Sequence, residues 1–388
     1  MPVGEPVSVK GKHYRTGQPV EITMEDGRIT GVLPWTADKP ADDIPWIGPG
    51  LVDLQLNGYR AMDFNAHPIP SGTTHNVTRA LWNEGVTAYY PTVITGSDER
   101  IASAVAAIAS EAEEDPVTKS CVAGIHLEGP FISPEDGARG AHDKAYVKAP
   151  DWDLMQRWQE AARGLIRIVT VSPEWPEAPD FIRRCADAGI VVSVGHTNAT
   201  PEQIRSAAEA GATMVTHFGN GAHPVLPRHP NYLWEQLASD PLWACVIADG
   251  FHLPDAVLKV VRKVKEERML LVSDAVSLSG MPPGAYDMPV GGQVVLTEEG
   301  RLHLAHDPRL LAGSAQLLPW GISHLIRKGI CDLADAWDAA SVHPAAKLGL
   351  PSAKGLQAGA PADVAVMEWD GRFLRPAAVY KAGVKRYG

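Results

Sequence analysis

The sequence predicts an α/β protein: a (β/α)8 or TIM barrel with a small β domain built from both termini. Three observations carry this. Eight short apolar runs alternate with helix-like stretches through the middle of the chain. Both chain ends carry short alternating segments that resemble each other. Polar residues recur where the central apolar runs end.

The eight strand candidates are Leu51–Leu56, Ala88–Val93, Val122–Leu127, Leu165–Val171, Ile190–Val194, Thr213–Thr216, Ala244–Ile247 and Met269–Val272. Helix-like segments such as Asp98–Glu113, Pro201–Ala210 and Pro254–Lys265 lie between them. Strict alternation of strand and helix implies parallel strands, and eight such units in roughly 280 residues suit a closed barrel. An open doubly wound sheet is the alternative. It calls for a glycine-rich phosphate loop after the first strand, where this chain reads Asn57-Gly-Tyr-Arg-Ala-Met-Asp-Phe-Asn.

Val20–Thr23 and Arg28–Val32 near one end, and Asp363–Glu368, Phe373 and Val379–Val384 near the other, read as short strands punctuated by Asp-Gly and Ala-Gly turns. We therefore expect a discontinuous β domain of residues 1–48 and 350–388 around a barrel of residues 49–349. A Gly- and Pro-rich stretch, 277–307, holds a hairpin pattern (Gly292–Leu304, turning at Glu298-Glu299-Gly300) and is expected to form a flap over the barrel mouth. Trp320–Gly329 and Leu333–Leu348 read as closing helices.

The 388 residues are 45% hydrophobic and 21% charged, enough apolar material for a sizeable core. A formal net charge of -11 argues against a non-specific nucleic-acid binder. No apolar run is long enough for a membrane span, and the N-terminal residues lack a signal-peptide core. Cys121, Cys185, Cys245 and Cys331 are scattered without a CxxC pair, against both a disulfide framework and a thiolate metal site. Together these features lead us to expect a cytoplasmic protein without nucleic-acid or membrane partners.

The polar residues at strand ends point to chemistry. Glu128 ends the third strand, His196 follows the fifth, His217 the sixth, Asp249 and His252 the seventh, and Asp274 the eighth. In a barrel these ends share one face, where enzymes of this fold keep their active sites. A single His or Asp there is commonly a cap, but Glu128, His196, His217 and Asp274, on four different strand ends, have no reason to converge by chance. Glu128, His196 and His217 suit a zinc-type divalent ion with open positions. Asp274 is the candidate for proton transfer. His126 has the strand parity of Glu128 and is read as a supporting residue rather than a ligand. His303 and His306, in the flap, are expected to be solvated.

The motifs Pro49–Gly58 (PGLVDLQLNG), His126–Ser133 (HLEGPFIS), Gly195–Thr200 (GHTNAT), Thr216–Pro224 (THFGNGAHP), Ile247–His252 (IADGFH) and Ser273–Ala275 (SDA) occur in order along nearly the whole chain. The sequence thereby resembles the N-acetylglucosamine-6-phosphate deacetylase family of the amidohydrolase superfamily. The resemblance implies a (β/α)8 barrel with a small β-sandwich domain built from both termini, and a homodimeric, metal-dependent hydrolase of an amino sugar phosphate. It implies Glu128, His196 and His217 as metal ligands, Asp274 as catalytic acid/base and His142 as a contact of the acetamido group or sugar. It further implies Asn220, Gly221 and His252 as substrate-binding positions and Arg228 as an arginine reaching the phosphate, in some members from the partner subunit. Many amidohydrolases carry HxH on the first strand; here the positions are Gln55 and Asn57. Amides ligate zinc poorly, so one ion per subunit, with zinc favoured, is expected. The loop after His217 also departs, reading Asn220-Gly-Ala-His and then His229, Tyr232 and Trp234. A related N-acylated amine or a non-phosphorylated N-acetyl sugar is therefore the alternative substrate, and a barrel that lost its chemistry the non-enzyme alternative.

Overall fold

The structure, a computed structural model, describes residues 6–36, 40, 43–288 and 292–388. Residues 1–5, 37–39 and 41–42 of the expected terminal domain and 289–291 of the expected flap lie outside the described residues.

All eight expected barrel strands form, in one parallel eight-stranded sheet whose strands are neighbours in chain order. They are Leu51–Leu56, Val86–Ile94, Ile125–Glu128, Ile166–Val171, Val191–Val194, Ala212–Val215, Trp243–Val246 and Met269–Leu271. The first strand is buried at every position, as a parallel strand covered on both sides should be. The sheet closes where the first strand meets the segment after the eighth. Leu56 bridges Ala275 in parallel, Asp274 N donates to Gln55 O (2.9 Å), and Asn57 N donates to Ala275 O (2.8 Å). Val52, Leu54, Tyr90, Ile168, Met214 and Leu270 belong to one buried cluster of strand side chains. A larger cluster packs other strand residues against the surrounding helices.

The helices begin and end where local chemistry dictates. Thr200 caps Pro201–Ala210 in a capping box with Gln203, and Gly211, at φ 117°, ends it. Ser97 caps Asp98–Glu114 by accepting from Arg100 N. The expected single helix Leu333–Leu348 is two helices, Leu333–Ala339 and Val342–Lys347. Pro344 explains the break: without an N–H it is tolerated in a first turn but not in a helix interior.

Both chain ends join one seven-stranded sheet. Trp46–Pro49 lies between Val7–His13 and Val364–Trp369. The edge strand Arg28–Pro34 bonds back to the chain before Val364: Ile29 N donates to Ala360 O (2.9 Å) and Gly359 N to Ile29 O (2.8 Å). The sheet thus curls over an apolar cluster that includes Ile22, Met24, Ile29, Ile47, Val364 and Val366, the expected sandwich of both termini. Gly284–Met288, Gly292–Leu296 and Leu302–Leu304 form a three-stranded antiparallel sheet in the expected flap. His303 differs from expectation. It is buried in the last of these strands with Nδ1 donating to Leu304 O (2.9 Å), because that strand packs in a small core with Leu278 and Val294. All four cysteines are buried and unpaired.

Candidate metal centre

The side chains singled out at the strand ends meet. Glu128 is the last residue of the third strand; His196, His217 and Asp274 stand just beyond the fifth, sixth and eighth. All three of the latter have left-handed backbones, with φ of 48°, 25° and 47°. Such conformations cost non-glycine residues roughly 1 kcal/mol or more each and cluster at functional sites. Here they turn side chains beyond the last ladder bond toward the barrel mouth.

Glu128 Oε1 lies 3.1 Å from His196 Nε2 and 2.9 Å from His217 Nε2, and the two nitrogens are 3.0 Å apart. All three residues are buried. They are the group among the described residues whose ligand atoms lie within 4.8 Å of one another. Zinc bonds of about 2.0–2.1 Å in a tetrahedron put neighbouring ligand atoms about 3.3 Å apart. The observed separations approach that value, and among the described residues no lysine or arginine bonds Glu128 in place of an ion. The residues therefore fit a small divalent ion.

Support around the centre sets its orientation. His196 Nδ1 donates to Ala138 O (2.9 Å), which leaves Nε2 with its lone pair facing the centre. Gly221, at φ +58°, packs on the same ring so closely that a Cβ there would come 2.4 Å from Nδ1. His142 places Nε2 3.3 Å from His196 Nε2, and its Nδ1 is 2.8 Å from Thr95 Oγ1. Burial, then the neighbouring His196, lowers the His142 pKa to about 3, so it is a neutral imidazole. Asp274 Oδ1 accepts from Asn57 Nδ2 at 2.8 Å. Burial, then the charge of Glu128, raises the Asp274 pKa to about 7.

His126 is not part of this group. Both its ring nitrogens are engaged by protein, with Leu54 O (3.1 Å) and Thr170 Oγ1 (2.7 Å). Burial lowers its pKa to about 4. Of Gln55 and Asn57, placed on one side by strand alternation, only Asn57 is among the residues lining the cavity described next. The register is irregular between Asp53 and Leu56, which separates the two.

A cavity of about 620 Å³ opens on the centre and is lined by Asn57, Glu128, His142, His196, His217 and Asp274. Met288 of the three-stranded sheet and Val276, Ala312 and Gly313 beside it also form its wall. Arg100, Arg139 and Lys144, which the sequence did not single out, line it as well, and so does His67, a histidine without supporting context in the sequence. Thr95 was also missed. It stands just past the second strand, and the rule that exposed the other site residues applies to it equally.

The substrate positions implied by the resemblance are placed less uniformly. Asn220 and Gly221 stand behind His196, with Asn220 Nδ2 donating to His217 O (3.2 Å). His252 Nδ1 pairs with Asp249 Oδ2 (2.7 Å), and Asp249 Oδ1 takes the backbone N–H groups of Phe251 and His252. His252 is close enough for its charge to favour the ionised form of Asp274. Arg228 is exposed and does not line the cavity. In the same loop Tyr232 Oη accepts from His223 N (2.9 Å), which holds the unusual Asn220–His223 stretch against the helix Tyr232–Ala238.

A family model described as the amidohydrolase family matches residues 46–384, spanning every residue of this centre. The chain belongs to the amidohydrolase family. It is accordingly a hydrolase of amide C–N bonds, in a family whose members depend on metal. Among its relatives, the N-acetylglucosamine-6-phosphate deacetylase of Bacillus subtilis is 32% identical over 362 residues, covering 90% of this chain and 89% of that one. The protein of the same name from Homo sapiens is 33% identical over 333 residues, covering 83% and 79%. A solved Mycobacterium smegmatis N-acetyl-D-glucosamine-6-phosphate deacetylase, a variant in complex with N-acetyl-D-glucosamine-6-phosphate, superposes with a TM-score of 0.87. It is 28% identical, over 99% of this chain and 100% of that chain.

Two imidazoles and a carboxylate converging on one point, beside a carboxyl group that titrates near neutrality, make this amidohydrolase centre suited to moving one proton twice. That is the requirement for adding water to an amide and then expelling an amine.

Proposed function

We propose that the protein hydrolyses the acetamido group of N-acetylglucosamine-6-phosphate, releasing acetate and glucosamine-6-phosphate. The observation that carries the chemistry is the placement of Asp274 in the same cavity as the Glu128–His196–His217 cluster. The names of the relatives supply the substrate.

Glu128, His196 and His217 would hold one divalent ion, zinc by the ligand types. When bound, such an ion polarises a carbonyl and acidifies a water. Asp274, ionised, takes a proton from the attacking water as its oxygen bonds to the acetyl carbon. His142, neutral, donates from Nε2 to the oxygen that gains charge, with the Thr95 hydroxyl donating to Nδ1 and so keeping the proton on Nε2. Asp274 then passes its proton to the nitrogen as the C–N bond breaks. His252, held by Asp249, together with Asn220 and Gly221, orients the sugar. Arg228, exposed on its own subunit, reaches the phosphate of a neighbouring one, which makes the working assembly a homodimer. The barrel of residues 49–349 carries the site, and the domain of residues 1–48 and 350–388 braces it. No described helix is long and apolar enough to cross a membrane; we assign the enzyme to the cytoplasm.

The test is acetate release by metal-replete protein from N-acetylglucosamine-6-phosphate and from its dephosphorylated form. We expect kcat/KM to be at least about 100-fold higher for the phosphorylated sugar, the worth of a lost charge-assisted contact or two. Equal rates on both would replace it with a deacetylase of plain N-acetyl sugars or of another N-acylated amine.

A further inference from the structure

We infer that Asn57 is the positioning residue for Asp274 and divides the tasks of its two carboxylate oxygens, an inference that rests on the reading of Asp274 as the proton-transfer group. Asn57 Nδ2 donates to Asp274 Oδ1 at 2.8 Å. A carboxylate has no proton to give, so the amide must face it with its NH2 side. That fixes the amide orientation and sends Asn57 Oδ1 the other way, where it is buried without a hydrogen-bond partner. Asn57 is itself buried and lines the cavity shared with Glu128, His196 and His217.

The backbone makes this contact rigid. Asp274 N donates to Gln55 O (2.9 Å) and Asn57 N to Ala275 O (2.8 Å), so the two side chains spring from interlocked segments at the seam where the barrel closes. One residue further in, Ser273 N donates to Asp53 Oδ1 (3.1 Å) and Ser273 Oγ to Gln55 O (3.1 Å). The main chain of Asp274 is therefore fixed, and its carboxyl group is held from one side by Asn57. A proton on Oδ1 would meet the N–H of Asn57 head on, so the proton taken from water resides on Oδ2. From the same atom it is delivered to the leaving nitrogen. Asn57 acts through Asp274 in this scheme, by fixing which oxygen receives the proton and where that oxygen points.

The experiment compares Asn57→Ala, Asn57→Ser and Asp274→Asn with the wild type, all as metal-loaded full-length protein. Readouts are kcat, KM and bound metal per chain. Misorienting a reacting group by about 1 Å costs on the order of 100-fold, so Asn57→Ala should lower kcat by roughly 30- to 100-fold. Its KM should stay within about threefold of the wild type and its metal content should be unchanged. Asn57→Ser keeps a donor and should recover part of the loss; it also carries the test if the alanine variant does not fold. A kcat within about threefold of the wild type in both variants overturns the inference. So does metal content that falls in step with activity, or a loss that resides in KM. If Asp274→Asn itself retains near wild-type turnover, the underlying reading of Asp274 fails; if it is inactive while both Asn57 variants keep full kcat, only the positioning role fails.

Discussion

Loading the centre with metal should expel a proton from His217. Burial, the largest effect on that ring, favours its neutral form. The hydrogen bond to Glu128 and the charges of Glu128 and Asp274 outweigh it and raise the pKa to about 9. Glu128, despite burial, is held well below the usual carboxylate range by its contacts with the His196 and His217 imidazoles. The ion-free centre is thus a buried imidazolium–carboxylate pair, and a metal ligand must be neutral imidazole. With a midpoint near 9, little of His217 is neutral at pH 7, so apparent affinity there should be on the order of 100-fold below its high-pH limit. The logarithm of the affinity should climb by about one per pH unit from pH 6 and level off above 9. Chelator competition across that range measures the slope. Calorimetry at pH 8 in buffers of different ionisation enthalpy should register about 0.9 proton released per ion. The sign for stability is opposite. A histidine whose folded pKa lies above its unfolded value of about 6.5 stabilises fully below 6.5 and loses that contribution as pH rises through 9. Ion-free protein should therefore melt lower as pH rises through this window, and loaded protein should not. An affinity that changes less than about twofold between pH 6.5 and 8.5 would refute the assigned proton.

Two further substitutions probe the centre. His196→Ala should lose both bound metal and activity, the latter by at least about 1000-fold; full metal occupancy by elemental analysis would remove His196 from the ligand set. Gly221→Ala places a Cβ 2.4 Å from His196 Nδ1 at φ +58°. It should weaken metal binding by about 10- to 100-fold, as loss of a ligand's support does, and unchanged affinity in chelator competition would show that the loop relaxes freely.

Much of the site was legible because of how a barrel converts sequence into space. Each strand is a short apolar run, so its end is readable, and parallel strands deliver all their C-terminal ends to one face. Glu128, His196, His217 and Asp274 need no long-range information beyond that. The contacts that tune them do. Thr95 against His142 and Ala138 O against His196 come from loop paths, for which the sequence has no period. The left-handed turns at His196, His217 and Asp274 were equally hidden, since none falls on glycine. His303 was misjudged for a related reason: a histidine in a Gly- and Pro-rich stretch reads as solvated until a third strand supplies the core that buries it. The basic wall of His67, Arg100, Arg139 and Lys144 draws on the segments after the first, second and third strands, which no local pattern unites.

The closing seam of the barrel joins the fold to its chemistry. Asn57 and Asp274 are 217 residues apart in sequence, yet their side chains are in hydrogen-bond contact. They meet because the first strand and the chain beyond the eighth exchange backbone bonds at Gln55, Asn57, Asp274 and Ala275. Asp274 thus takes its place from the pairing of the first strand with the chain beyond the eighth, whereas Glu128, His196 and His217 stand at the ends of the third, fifth and sixth strands. The two halves of the centre thus depend on different parts of the fold. Damage to the seam should disarm proton transfer while the metal ligands stay together. Damage to the middle strands should release the ion.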